Sequence, residues 1–101
     1  MTFVRGLYQH YKGGFYFAHF LAQLEATGEL MVAYTDFDDQ EKHYVRPLAE
    51  FTQEVDDVAR SVPCIHGKVH LRGPGRVPRF RLELAHGAAT CFSCETRITA
   101  Q

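Results

Sequence analysis

Glycine and proline cut this 101-residue chain into runs that are mostly of strand length. The interruptions are Lys12-Gly13-Gly14, Thr27-Gly28, Pro47, Pro63, Gly67, Gly73-Pro74-Gly75 and His86-Gly87. Between them, residues alternate with the two-residue period of a strand that buries one face. Residues 6–11 form a short aromatic run, and the following Gly-Gly pair tolerates the positive φ of a tight hairpin turn. Residues 15–26 are apolar enough for a strand buried on one face and partly on the other. In 29–37, Leu30, Val32 and Tyr34 share one face, with Met31 and Ala33 on the other. A polar tip at Asp38-Asp39-Gln40 precedes a fourth strand, 43–46, which Pro47 ends. Residues 79–85 place Phe80, Leu82 and Leu84 inward and Arg79, Arg81 and Glu83 outward, and 88–100 read as one or two further strands.

One segment has a different period. Leu48, Phe51, Val55 and Val58 recur at spacings of three and four, which predicts a helix of one to three turns over 48–58. Its solvent face would carry Glu50, Glu54, Asp56 and Asp57. Residues 61–75 read as loops with at most a short strand at 68–72. The expected core is Tyr16, Leu30, Val32, Tyr34, Val45, Phe51 and Phe80.

A chain of this length forms one domain, 1–101, and its 46% hydrophobic content excludes a disordered polymer. It has no apolar run of eighteen residues, so no membrane-spanning helix is expected. The opening MTFVRG lacks the layout of a signal peptide, and three cysteines suit a reducing compartment, so a cytoplasmic location is expected. The net charge of -1 conceals an asymmetry: residues 1–63 hold five Lys/Arg against ten Asp/Glu, and 64–101 hold six against two. Such polarity fits either an anionic partner for the basic half or neutralisation of one half by the other.

The string His10-Tyr11-Lys12-Gly13-Gly14 with Tyr16, then Val32 and Tyr34, then Tyr44-Val45-Arg46-Pro47-Leu48 with Phe51, resembles the domain-of-unknown-function family numbered 1653. Members read HYKG, VVY, WVRP followed by MF, and close on an RF pair, to which Val77-Pro78-Arg79-Phe80 is similar. In this chain Leu24-Glu25-Ala26-Thr27 replaces the usual His-Ser-Glu-Thr, Tyr44 the tryptophan, and Glu50 the methionine. The resemblance covers 6–56 and 77–80, with an insertion over about 59–76 and a C-terminal strand extension over 81–101. It implies a small SH3-like β-barrel and no particular activity. The fold expectation is therefore mainly β, a small barrel with one short helix and a C-terminal β extension.

Three constellations carry chemistry. Tyr8, His10, Lys12 and Tyr16 surround the first hairpin, with Arg46 on a neighbouring strand; aromatic rings beside cations suit a base or a phosphorylated ligand, although the same rings also fill small barrels. Arg72, Arg76 and Arg79, in a stripe with Lys68 and Arg81, place cations at a spacing that phosphates favour. The expected ligand-binding residues are Tyr8, His10, Lys12, Arg46, Arg72, Arg76 and Arg79. Cys64 and His66, with Cys91 and Cys94, offer the donors of tetrahedral zinc, against the ordinary reading of free cysteines as small core hydrophobes. No other cofactor is expected. Gly-rich phosphate loops, GxSxG and HExxH are absent from the sequence. The leading expectation is a non-catalytic module that contacts a nucleic acid or a protein. The alternatives are a small enzyme acting on a phosphorylated or nucleotide-like ligand at the barrel mouth, and a protein that homo-oligomerises through strand edges.

Overall fold

The computed structural model describes residues 3–64 and 66–85. These form β1 (Gly6–His10), β2 (Phe15–Gln23), β3 (Leu30–Asp36), β4 (His43–Pro47) and a single helical turn, α1 (Leu48–Phe51). There follow β5 (Glu54–Asp57), β6 (Arg60–Pro63), β7 (Val69–Arg72), β8 (Gly75–Pro78) and β9 (Phe80–Ala85). The architecture is mainly β. Five strands make one antiparallel sheet in the order β4-β3-β2-β1-β9, while β5 pairs with β8 and β6 with β7 as two-stranded ribbons. No described helix is long and apolar enough to cross a membrane.

The core lies on one face of the five-stranded sheet. Tyr8 stands opposite Tyr16, Ala18 opposite Tyr34, and Val32 opposite Arg46, so these side chains project to that face. Tyr8, Ala18, Val32, Tyr34 and Phe80 are buried there, and α1 covers them with Leu48 and Phe51. Phe51 stacks on Phe80 with ring centroids 4.3 Å apart and planes 5° from parallel. The turn starts after Pro47, whose φ of -53° and ψ of 137° set the chain for helix entry. The Thr52 hydroxyl closes it by donating to the Leu48 carbonyl at 2.9 Å.

The helix expected over 48–58 stops after one turn. From Gln53 the chain is captured by strand pairing: Gln53 O accepts the Arg79 N–H at 2.8 Å, and Val55 stands opposite Val77. The helical spacing of Val55 and Val58 is coincidental, because Val55 belongs to a ribbon and Val58 is exposed. Two residues of the expected core are also on the surface. Leu30 is 46% exposed at the start of β3, and Val45 is 64% exposed because it pairs with Ala33 on the face away from the core.

The segment 61–75 contains more structure than its glycines suggest. β6 and β7 form a hairpin, with Arg60 opposite Arg72 and Pro63 opposite Val69. Its tip closes through Cys64 N–H to Lys68 O at 2.8 Å and Gly67 N–H to Cys64 O at 2.9 Å. The hairpin is tied to the main sheet, since the buried Gln9 side chain donates to Pro63 O at 2.8 Å.

β9 holds the main departure from simple alternation. Leu7 faces Leu84 while its neighbour Tyr8 faces Leu82, so Glu83 is the extra residue of a bulge. The bulge turns Glu83 inward, where it is wholly buried instead of outward in solvent. Of the C-terminal extension, 81–85 belong to β9; the strands expected over 88–100 lie outside the described residues.

Candidate nucleic-acid interface

The β1–β2 turn brings the first part of the site into place. His10 N–H donates to Gly14 O and Gly13 N–H to His10 O, each at 2.7 Å, and Gly13 takes a φ of +113° that side-chain-bearing residues rarely adopt. The Tyr16 ring lies over Gly14, so close that a Cβ at that position would sit 3.3 Å from Tyr16 Cε2. Tyr11 N–H donates to Arg79 O at 3.0 Å, and Arg79 in turn reaches Gln53 through its backbone N–H and, at 3.1 Å, through Nη2. The hairpin tip, the start of β9 and the exit of α1 are thereby laced together.

β4 supplies the opposite wall. Arg46 projects to the core face, where its Nε donates to the Tyr34 hydroxyl at 3.4 Å and its Nη1 approaches Glu50 Oε1 at 3.5 Å. Its guanidinium carbon lies 5.5 Å from the centre of the Phe80 ring over which it sits. His10 meets the same ring edge-on, with centroids 5.0 Å apart at 79°. Tyr16 contacts it at 5.8 Å, and Tyr44, 40% exposed, extends the aromatic surface through Tyr34 at 5.4 Å and Tyr16 at 6.3 Å.

The electrostatics of this surface are positive. Burial, joined by the nearby charges of Arg46, Arg79 and Lys12, pulls the His10 imidazole down to about 4. His10 is therefore neutral at pH 7, and its Nδ1 accepts the Lys12 backbone N–H at 3.2 Å. Burial and the proximity of Asp36 raise the Tyr16 phenol, keeping it a neutral hydroxyl. Among the described residues Arg46 has one carboxylate partner, Glu50, at the edge of ion-pair distance and half exposed, a contact of small net strength. The groups that meet here are hydrogen-bond donors and rings, a chemistry suited to an anion.

Four of the seven expected ligand-binding residues, His10, Lys12, Arg46 and Arg79, meet in this one electrostatic environment. The other three lie elsewhere. Tyr8 is buried in the core, its ring packed edge-on against Phe51 of α1 at 5.0 Å and its hydroxyl donating to Val4 O. Arg72 turns inward to Glu83. Arg76 is exposed on the β5–β8 ribbon, 3.9 Å from Glu54. Tyr44 joins the site without having been singled out, although its two-residue spacing from Arg46 on a strand places both on one face. Gln53 has no such signal in the sequence, since it reaches Arg79 only through the tertiary fold.

Of the four residues expected to hold zinc, Cys64 is buried and His66 is exposed, and Cys91 and Cys94 lie outside the described residues. A separate feature was not anticipated. On the sheet face away from the core, His19, Phe20, Ala33, Thr35, His43 and Val45 line an open groove of about 320 Å³. There the bulge at His19 lets its Nε2 bond the Thr35 hydroxyl at 2.9 Å.

A search among curated proteins finds no match. A crystal structure of a DUF1653 protein from Bordetella bronchiseptica is similar at 31% identity and a TM-score of 0.58, covering 78% of this chain and 85% of that one. The model of the family described as "Protein of unknown function (DUF1653)" matches residues 6–82, which take in β1 to β8, the first half of β9 and every residue of the site, and the chain belongs to that family.

Proposed function

We propose that this chain is a non-catalytic binding module, a small SH3-like β-barrel that holds single-stranded nucleic acid against the surface formed by His10, Lys12, Arg46 and Arg79. The observation that carries the reading is that His10 and Arg46 pack on the same Phe80 ring, with Lys12 bonded to His10 and Arg79 bonded to Tyr11, beside the half-buried Tyr11 and the exposed Tyr44. Phosphates supply the counter-charge for such a surface, and unpaired bases stack on rings such as Tyr11 and Tyr44. The SH3-like reading is supported by a strongly bulged antiparallel sheet with two ribbons and a helical turn packed around it.

Fluorescence anisotropy with labelled single- and double-stranded oligonucleotides, between low and physiological salt, tests the proposal. Saturable binding of the single strand that weakens steeply with salt is expected. Its absence at low salt removes the nucleic-acid reading.

A second reading, homo-oligomerisation, is supported by a different surface. Among the described strands β4 is an edge, with Val45 exposed on the same face as the exposed Phe20, across Ala33. Native mass spectrometry over a concentration series separates the two, because only the second requires self-association.

A further inference from the structure

Resting on the binding reading above, we infer that the anion taken by this site is a phosphoryl group, seated between the guanidinium of Arg46 and the Nε2–H of His10. A neutral imidazole carries one proton, and the two ring nitrogens divide the roles of donor and acceptor. Here Nδ1 accepts the Lys12 backbone N–H at 3.2 Å, so the proton resides on Nε2. Nε2 has no partner among the described residues and is available to a ligand. The neighbouring cations of Lys12, Arg46 and Arg79 disfavour a second ring proton, so His10 stays a neutral donor in an environment that already attracts anions.

Arg46 is held in place by two contacts and keeps donors for a ligand. Tyr34 occupies its Nε and Glu50 its Nη1, which leaves Nη2 without a partner among the described residues. The remaining N–H donors of Arg46 are joined by those of His10 and Lys12 from the β1–β2 hairpin. A tetrahedral group with several acceptor oxygens matches donors dispersed in this way. The Phe80 ring sets their spacing, since His10 and Arg46 both pack against it.

The test follows the ring nitrogens of His10 and Nε of Arg46 by nitrogen-15 NMR in the full chain. Inorganic phosphate, phenyl phosphate, acetate, and a thymidine dinucleotide with either a phosphodiester or a methylphosphonate linkage are added at constant ionic strength. Phosphate and phenyl phosphate should move His10 Nε2 and Arg46 Nε together, with acetate far weaker. Response to phenyl phosphate but not to the diester identifies a monoester as the source; loss of the diester response on methylphosphonate substitution identifies a nucleic-acid phosphate. His10→Gln, which keeps an N–H donor, should bind phenyl phosphate within about threefold of the parent, and His10→Phe should lose about tenfold. Equal shifts with acetate, no shift with either phosphate, or equal binding by the two variants overturns the seat. Oligonucleotide binding that persists without a His10 response removes the seat and leaves the module. A phenyl phosphate response without oligonucleotide binding does the reverse.

Discussion

Arg72 Nη2 lies 3.5 Å from Glu83 Oε1, and the pair joins the β6–β7 hairpin to the bulge of β9 in a place where Glu83 is 0% and Arg72 15% exposed. A carboxylate so deeply buried is tolerated only with a partner, because desolvation costs an isolated charge several kcal/mol. The pair thus helps fix how the hairpin sits on the sheet. Arg81 belongs to the same group, since burial and the charge of Arg72 lower its guanidinium while Glu83 raises it.

The first prediction concerns that pair. Arg72→Ala leaves Glu83 buried without this partner and should cost about 3–5 kcal/mol in urea denaturation. The double variant Arg72→Met with Glu83→Leu should recover most of the loss, because it removes both charges and keeps the volume. A single-variant loss under about 1 kcal/mol contradicts the assignment.

Phe80 is the ring on which Phe51, Tyr34, Tyr16, His10 and Arg46 all pack. Phe80→Ala should therefore lose about 3–5 kcal/mol of stability. Val45→Ala, on the exposed face of the edge strand, should stay within about 0.5 kcal/mol of the parent. Denaturant melts of the two variants check the core boundary, and similar losses would show it to be misplaced.

Two glycines with positive φ should differ in what they tolerate. Gly67 has a φ of +81° and open space around its missing Cβ, so Gly67→Ala should cost about 1 kcal/mol from backbone conformation alone. Gly73 has a φ of +72°, and a Cβ there would lie 2.7 Å from the Val58 carbonyl oxygen. Gly73→Ala must displace backbone and should lose clearly more than Gly67→Ala in thermal melts.

Stability should fall as the solution is acidified. The His10 imidazole is pulled from 6.5 to about 4 in the folded chain, with Arg46, Arg79 and Lys12 facing it. Between those values the unfolded chain takes up a proton that the folded chain refuses, so the stability present above pH 6.5 declines as pH drops through 4. His19 is lowered too and acts in the same direction. His10→Gln should flatten the decline by about 1 kcal/mol once solvent screening is allowed for. An unchanged pH profile of denaturation in that variant contradicts the environment described for His10.

Binding should distinguish the clustered cations from the scattered ones. Arg46→Ala should lower the slope of log affinity against log salt by about 1, as expected for the loss of one phosphate contact. Arg76→Ala, on the β5–β8 ribbon beside Glu54, should leave the slope nearly unchanged. Oligonucleotide titrations at several salt concentrations measure both.

Much of the sheet is legible in the amino-acid order, because strand faces and turn positions are set by residues close together in the chain. Gly13 marks the first hairpin, and the alternation through Val32 and Tyr34 marks the buried face of β3. His10, Lys12 and Arg46 could be named as candidates for the same reason, since their chemistry and strand positions are local facts. Tertiary structure decided the rest. The helical spacing after Phe51 yielded to long-range pairing of 54–57 with 75–78, where ladder hydrogen bonds and the Val55–Val77 contact outweigh a weak local propensity. The bulge that inverts Glu83 depends on the register between β1 and β9, about 75 residues apart in a chain whose local pattern carries no trace of it. The division of the arginines has the same origin: Arg72 is consumed by a carboxylate that only the folded sheet buries, while Arg46 and Arg79 meet at His10 because three distant segments pack around Phe80.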